Sequence, residues 1–451
     1  MLGLGVALAR LLRTVSRRLG RRGGTTVPGR ALLRLHPSAI AVLGRKLERG
    51  SVLVSATNGK TTTSSMLASA LETGGASVVH NRAGSNMNWG VATALLDAGG
   101  SRGQIGLFEV DEAWLAPVAR DLDSGLLLLC NLFRDQLDRY GELELLADRW
   151  AELVAEREGR SAFVLNADDP LVADLGRGRE RVTYFGVEDR SHSLEALEHA
   201  SDSKRCRNCG HEYSYEAVYL GHLGRYHCPN CGRRRPGPQV AAERVTLHGM
   251  SGSEVSISTP AGTIELSLPL PGLYNVYNAL AATAAALQLG ASTRQVSDAL
   301  SRFAAAFGRV ERVVVAGREL AILLVKNPAG ANEVLRTLTL EGGALDLWLA
   351  LNDGIADGRD ISWIWDADFE VLVGRARHVT CSGTRAEEMA LRLKYAGLDA
   401  PLVVERELGR SLDSALARGN GGPLYALPTY TALLELRDLL ADRGLARRWS
   451  E

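Results

Sequence analysis

The chain has 451 residues, of which 46% are hydrophobic and 23% charged, and its 52 basic residues balance 52 acidic ones. That length leaves room for two or three domains, and the composition is that of an ordinary globular protein. The balanced charge argues against nucleic acid as a partner, and no uninterrupted apolar run is long enough to span a bilayer.

Residues 1–45 differ from the rest. They carry nine arginines (10, 13, 17, 18, 21, 22, 30, 34 and 45) and no Asp or Glu. Leu2, Leu4, Val6, Leu8, Leu11, Leu12 and Val15 form a partial helical stripe. Most of the charge follows the apolar part, the reverse of a cleavable signal peptide. The segment reads either as a helix in peripheral contact with an anionic membrane surface, or as a helix packed on the body with a solvated Arg face. With no export signal and few cysteines, the expected compartment is the cytoplasm, including the inner face of its membrane.

A short apolar strand, Val52-Leu53-Val54, runs into Thr57-Asn58-Gly59-Lys60-Thr61-Thr62, and a helix is expected over 64–71. Strand, Gly-Lys-Thr loop and helix together are the context of a phosphate-binding loop. Gly59 permits close approach of phosphate, Lys60 reaches the β- and γ-phosphates, and the Thr61 hydroxyl is placed for Mg²⁺. The usual first glycine of such loops is Ala56 here. Strands are then expected at 105–110, 126–130 and 162–165, with a helix at 142–156, in an α/β rhythm with a mostly parallel sheet. The pattern alternates over 245–268, and 275–289 is an Ala-rich helix. A second α/β rhythm begins near 310, with strands expected at 321–325, 345–351, 369–373 and 378–381.

Between these regions stand Cys206-Arg-Asn-Cys209-Gly210 and Cys228-Pro-Asn-Cys231-Gly232, separated by the 18 residues 210–227. Two Cys-x-x-Cys-Gly knuckles at this spacing suit a structural Zn²⁺ held by four thiolates. His211, His222 and His227 lie nearby, but four cysteines need no substitute. Near the C-terminal end of the 345–351 strand, Asp353, Asp357 and Asp360 place acids in the crevice where α/β sheets bind ligands. A solvated acidic loop is the bland alternative.

The loop wording resembles that of Mur ligases and folylpolyglutamate synthetases, and further fragments follow in the family's order over about residues 50–435. They are Asn86 after Gly84-Ser85, Glu109 at a strand end, Asn131 with Asp135 to Gly141, Asn166 to Pro170, Gly272 with Asn275 to Ala279, and Gly308-Arg309-Val310-Glu311. The resemblance implies that Glu109 joins Thr61 on Mg²⁺, that Thr57, Asn58, Gly59, Lys60, Thr61, Thr62, Asn86, Asn278 and Arg309 bind ATP, and that Lys60 and Glu109 serve catalysis. Gln136 stands where such ligases usually have a metal-binding His, and no Lys occurs between Asp135 and Asn166 to be carbamylated. Lys326-Asn327-Pro328 replaces the usual Asp-x-x-His-Asn-Pro.

With its four-cysteine insertion and Asp357-Gly-Arg-Asp360-Ile-Ser-Trp-Ile-Trp-Asp366, the chain resembles the Mur-ligase-like subunits of lipid II isoglutaminyl synthase. That resemblance implies ATP-dependent amidation of the D-glutamate α-carboxylate of lipid II to D-isoglutamine through an acyl phosphate. Ammonia would come from a separate glutaminase subunit of the GatD kind, in a heterodimer. Asp360, with Asp357 as the alternative, would complete the partner's Cys-His pair. The chain itself supplies no evident glutaminase nucleophile, since Cys130 and Cys381 fall in buried strands. Two rivals are an amino-acid-adding ligase of the Mur or folylpolyglutamate type, against which the missing Lys and Gln136 count, and a non-enzymatic nucleotide-regulated scaffold. The expected architecture is a basic segment at 1–45, then a P-loop central domain at 46–312 with a zinc-ribbon insertion at 201–240. A Rossmann-like α/β C-terminal domain follows at 313–451.

Overall fold

The computed structural model describes residues 26–81, 85–98, 103–135, 143–198, 201–303, 310–418 and 421–446. Strands β1 (Ser51–Ser55), β2 (Ser77–His80), β3 (Gln104–Glu109), β4 (Leu126–Leu129), β5 (Ala162–Asn166) and β6 (Val182–Val187) run parallel. With β9 (Val240–Leu247), β10 (Ser253–Ser258) and β11 (Ile264–Leu268) they make one nine-stranded sheet, ordered β11-β10-β9-β6-β5-β4-β1-β3-β2. Strand β9 joins β6 in parallel, and β10 and β11 add an antiparallel edge.

All five residues of β1 are buried, as a strand covered on both faces requires. Its side chains alternate between two cores. Val52 and Val54 pack with the helices Lys60–Thr73 and Leu273–Gln288. Leu53 packs with Asn88–Asp97, Leu115–Leu122 and Leu143–Glu156 on the other face. Helix Leu273–Gln288 buries Ala279, Ala281, Ala282, Ala284, Ala285 and Ala286, small side chains that let it lie close on the sheet.

The second sheet, ordered β12-β13-β17-β14-β15-β16, starts at β12 (Val310–Val315). Strands β13 (Arg318–Leu323), β14 (Leu345–Ala350), β15 (Ala376–Ser382), β16 (Leu402–Val404) and β17 (Leu424–Pro428) are parallel, and β12 is the antiparallel edge. The strand expected at 369–373 is instead a single 3₁₀ turn, Phe369–Leu372. Phe369 and Leu372 are buried while Val371 and Val373 are exposed, a spacing of three that a strand's two-residue alternation cannot give.

The cysteine-rich stretch forms a two-stranded antiparallel hairpin of β7 (Ser214–Leu220) and β8 (Leu223–His227). It is tied to the first sheet through Arg235, which pairs with the fully buried Asp168; Asp168 also accepts from Tyr277 Oη (2.7 Å) and the Val187 amide (2.8 Å).

Helices Val27–Leu35 and Ala39–Gly44 pack on Asn88–Asp97, with Leu32 and Ile40 fully buried. A Cβ at Gly29 would sit 1.9 Å from the Trp89 carbonyl oxygen, so the contact is close. That part of the basic segment is therefore built into the body. The membrane reading rests mainly on residues 1–25, outside the described residues. Among the described residues no helix is long and apolar enough to cross a membrane.

Candidate functional site

The loop between β1 and helix Lys60–Thr73 opens at the carboxyl end of the parallel sheet, flanked by β3 and β4. Gly59 caps the helix at φ +86°, and a Cβ there would meet Asn278 Oδ1 at 2.1 Å, so glycine is required twice over. Asn278 is buried behind the loop, accepting from Thr63 Oγ1 (3.1 Å) and donating to Asn275 Oδ1 (3.1 Å).

Asn131, just beyond β4, clamps the loop from the side. Its Oδ1 accepts from the Asn58 amide (2.9 Å), and its Nδ2 donates to the Asn58 carbonyl (3.0 Å). Thr57 Oγ1 accepts from the Phe133 amide at 3.0 Å. These bonds satisfy loop backbone that no strand pairs with.

Lys60 lies buried at the start of the helix, with Nζ on the Ala56 carbonyl and 2.8 Å from Glu112 Oε2. Burial works against its charge, but Glu112 and Asp111 outweigh that and raise its pKa. For Glu112, burial opposes ionisation, yet Lys60 and then Lys326 hold its pKa below the ordinary carboxylate value. Glu112 was not singled out from sequence; the signal available was a run of acids, Glu109, Asp111 and Glu112, at a strand's carboxyl end.

Glu109 ends β3 and is buried, with its backbone locked by the Asn81 side chain, whose Nδ2 donates to the Glu109 carbonyl (2.9 Å) and whose Oδ1 accepts from the Glu109 amide (3.0 Å). Ser64 Oγ stands 3.1 Å from the Thr61 carbonyl and 3.4 Å from Glu109 Oε2, so one side chain links the backbone of Thr61 to the Glu109 carboxylate. The buried Glu109 carboxylate is a hard-oxygen donor of the kind that Mg²⁺ takes. Thr62 is buried in the same turn. The Asn86 carbonyl accepts from the Asp111 amide at 2.8 Å, which puts Asn86 beside this end of β3. Arg309, Gln136 and Gly84 lie outside the described residues.

The second sheet reaches this loop too. Lys326, three residues beyond β13, donates to the Thr57 carbonyl (3.1 Å) and pairs with Asp135. The side-chain amides of Asn327 and Asn58 exchange two hydrogen bonds, at 3.0 and 3.3 Å.

At the base of the β7–β8 hairpin the thiols of Cys206, Cys209, Cys228 and Cys231 lie within 4.8 Å of one another, two buried and two exposed. A tetrahedral Zn²⁺ with bonds of about 2.3 Å needs sulfurs roughly 3.8 Å apart, and the Cys206–Cys231 and Cys209–Cys228 pairs stand at 3.6 and 3.4 Å. Gly210 and Gly232, at φ +73° and +72°, close the two knuckles by donating their N–H groups to the Cys206 and Cys228 carbonyls (2.7 and 3.0 Å). The Arg233 amide, with Asn208, lowers the Cys231 thiol to about 6, whereas burial raises Cys228 to about 11. The donor set fits a closed structural ion. His222 is not part of it: it sits fully buried at the hairpin tip, 3.5 Å from Asp169 and with its ring tilted against that of Phe133.

In the loop after β14 the two candidate aspartates differ. Asp357 is buried and committed, accepting from the Thr431 amide (2.7 Å), Thr431 Oγ1 and the Gly354 amide (3.1 Å). It thereby satisfies a first-turn donor of helix Tyr430–Asp442. Asp360 is exposed, held by the Ser362 amide at 2.8 Å, with its pKa lowered by Ser362. Cys130 and Cys381 are buried, and burial pushes both thiols up to about 12. Neither is poised as a nucleophile.

Comparison with known proteins shows the family and the fold. The Mur ligase middle domain family matches residues 54–231, and the MurT ligase C-terminal family matches residues 324–433. The "Lipid II isoglutaminyl synthase (glutamine-hydrolyzing) subunit MurT" of Staphylococcus aureus is 32% identical, over 96% of this chain and 97% of its own length. The protein of the same description from Streptococcus pneumoniae is 32% identical over 99% and 98%. Among solved structures, a pseudomurein peptide ligase type C from Methanothermus fervidus superposes with a TM-score of 0.70 at 22% identity, covering 89% of this chain and 80% of that one. MurF from Acinetobacter baumannii does so at 0.66 and 17% identity, covering 90% and 78%. The two sheets thus have the Mur ligase fold, and the near-complete match at 32% identity makes the chain a member of the MurT family.

Proposed function

We propose that this chain is the synthase subunit of a lipid II isoglutaminyl synthase, an ATP-dependent carbon–nitrogen ligase. It would convert the D-glutamate α-carboxylate of lipid II to the amide of D-isoglutamine. The observation that carries the reading is the intact phosphate loop with buried Lys60 and Glu109, in a chain that matches the MurT relatives almost end to end.

A carboxylate cannot expel hydroxide to an amine at neutral pH, so it must first be given a better leaving group. Here the substrate carboxylate oxygen attacks the γ-phosphorus, the bond to the β–γ bridging oxygen breaks, and ADP departs with the electron pair. Ammonia then adds to the acyl carbon, the carbon–oxygen bond to phosphate breaks with its electron pair going to phosphate, and the proton shed by the nitrogen is carried off as hydrogen phosphate. The chain's part in the first step is positioning and charge. The Gly59 backbone and the N-terminus of helix Lys60–Thr73 cradle the phosphates, and Lys60 turns from Glu112 to the γ-phosphoryl. Thr61 and Glu109 would hold Mg²⁺, which when bound draws charge from the phosphate oxygens. Arg309 is assigned to the same group by motif.

Ammonia would come from a separate glutaminase subunit. The exposed carboxylate of Asp360 supports it, rather than the committed Asp357, as the acid that orients the partner's histidine. Cys206, Cys209, Cys228 and Cys231 would hold a structural zinc ion.

Mass spectrometry of lipid II after incubation with the chain, Mg-ATP and ammonium tests the reading. A carboxyl converted to an amide is expected, and use of glutamine in place of ammonium only with a glutaminase present. An added amino acid, or no turnover under any condition, would overturn it.

A further inference from the structure

Two lysines meet at the phosphate loop, one from each sheet. Lys60 holds the Ala56 carbonyl and is paired with Glu112. Lys326 holds the next carbonyl, that of Thr57, and is paired with Asp135. Each cation therefore has one fixed anchor on the loop and one carboxylate that neutralises it. The Asn58–Asn327 amide pair sets the reach of Lys326 onto the loop, and Asn327 is itself fixed by accepting from the Gly330 amide (2.9 Å) as cap of helix Pro328–Thr339. The Lys326 side chain retains 25% of its exposure, and Asp135 15%. The charge of Lys326 is also felt at Glu112, the partner of Lys60. An interdomain tie alone would not need a cation at this spot, since the amide pair already joins the two sheets.

We infer that Lys326 is a second cation of the nucleotide site, carried in by the C-terminal domain, which stabilises charge on the transferring phosphoryl group and the acyl phosphate that results. An ammonium has three donors, so Lys326 can keep the Thr57 carbonyl and turn its other donors from Asp135 to phosphate oxygens. No proton is moved in this step. The consequence is that full catalytic charge is assembled only when the C-terminal domain is seated on the loop. The inference rests on the assignment of ATP to that loop.

Steady-state amidation with ammonium, on the full chain, together with calorimetric ADP binding, tests it in Lys326→Met, Lys326→Arg and Asp135→Asn. Loss of one preorganised electrostatic group lowers kcat by about 10²–10³-fold, and that is the loss expected for Lys326→Met, with ADP affinity little changed. Lys326→Arg keeps the charge and should fall between. Asp135→Asn removes only the resting partner and should lose far less than Lys326→Met. If Lys326→Met melts below the assay temperature, Lys326→Gln, which keeps a donor for the Thr57 carbonyl and loses the charge, reads the same quantity. Wild-type kcat in the uncharged variants overturns the inference. So do equal losses in Lys326→Met and Asp135→Asn, which would reduce the pair to a domain latch. A Lys60→Ala chain that still turned over ATP would instead overturn the assignment of ATP to this loop.

Discussion

The ring of His222 lies 4.8 Å from that of Phe133, joining the tip of the β7–β8 hairpin to the segment that steadies the phosphate loop. A Cβ at Gly221 would also meet the Phe133 ring, at 2.8 Å, and the Phe133 amide holds Thr57 Oγ1 at 3.0 Å. The cysteine cluster clamps the other end of this hairpin. With the proposed zinc in that cluster, elemental analysis is expected to find a single zinc ion per chain, and treatment with a chelator is expected to lower both the melting temperature and ATP turnover. Full ATP turnover in the stripped chain would break the proposed link. Phe133→Ala should destabilise by about 3–5 kcal/mol, the usual cost of truncating a buried Phe.

Gly59→Ala sets a methyl group against Asn278 Oδ1 in a backbone conformation that L-residues resist. The expected result is loss of ADP binding by calorimetry. Asn278→Ala in the same chain relieves the contact but not the φ of +86°, so it should restore binding only in part. Normal affinity in Gly59→Ala alone would contradict the geometry.

Asp360→Ala is expected to abolish amidation driven by glutamine and spare amidation driven by free ammonium. Asp357→Ala should instead lower the melting temperature, because it removes a helix-end acceptor worth about 0.5–2 kcal/mol, and it should affect both nitrogen sources alike. Equal loss with both sources in Asp360→Ala would move that residue into the ligase site.

Glu333, on helix Pro328–Thr339, is buried beside Arg336 and close to Glu198. Burial, reinforced by Glu198, raises its pKa to about 7 from 4.5. Above 4.5 the unfolded chain has released a proton that the folded chain still holds, so this group makes stability fall as pH rises from about 4.5 to about 7, then level off. A shift of that size corresponds to an effect on the order of 3 kcal/mol. Glu333→Gln should remove that slope from a series of thermal melts between pH 4.5 and 8. A slope unchanged by the substitution would assign it to another group.

Much of the chemistry was legible because it is written locally. The phosphate loop needs a strand, Gly59-Lys60-Thr61 and a helix in sequence, and each metal knuckle needs two cysteines and a glycine within five residues. Strands β1, β3, β4 and β5 could be read because a strand buried on both faces is a continuous apolar run. The turn at Phe369–Leu372 reads as a strand in the sequence because a short apolar run does not declare its period until burial shows which residues face inward.

What the sequence by itself determined about this protein is the identity of the groups: Lys60, Glu109, the four cysteines and the aspartates of the 353–366 loop. Tertiary structure alone decided their partners. Glu112 meets Lys60 because two parallel strands end side by side, Lys326 meets Asp135 across 191 residues of chain, and Asp357 rather than Asp360 is consumed by a helix 74 residues away. Such pairings depend on strand order and on how two sheets seat against each other. Those are set by the packing of whole cores, which no local spacing encodes.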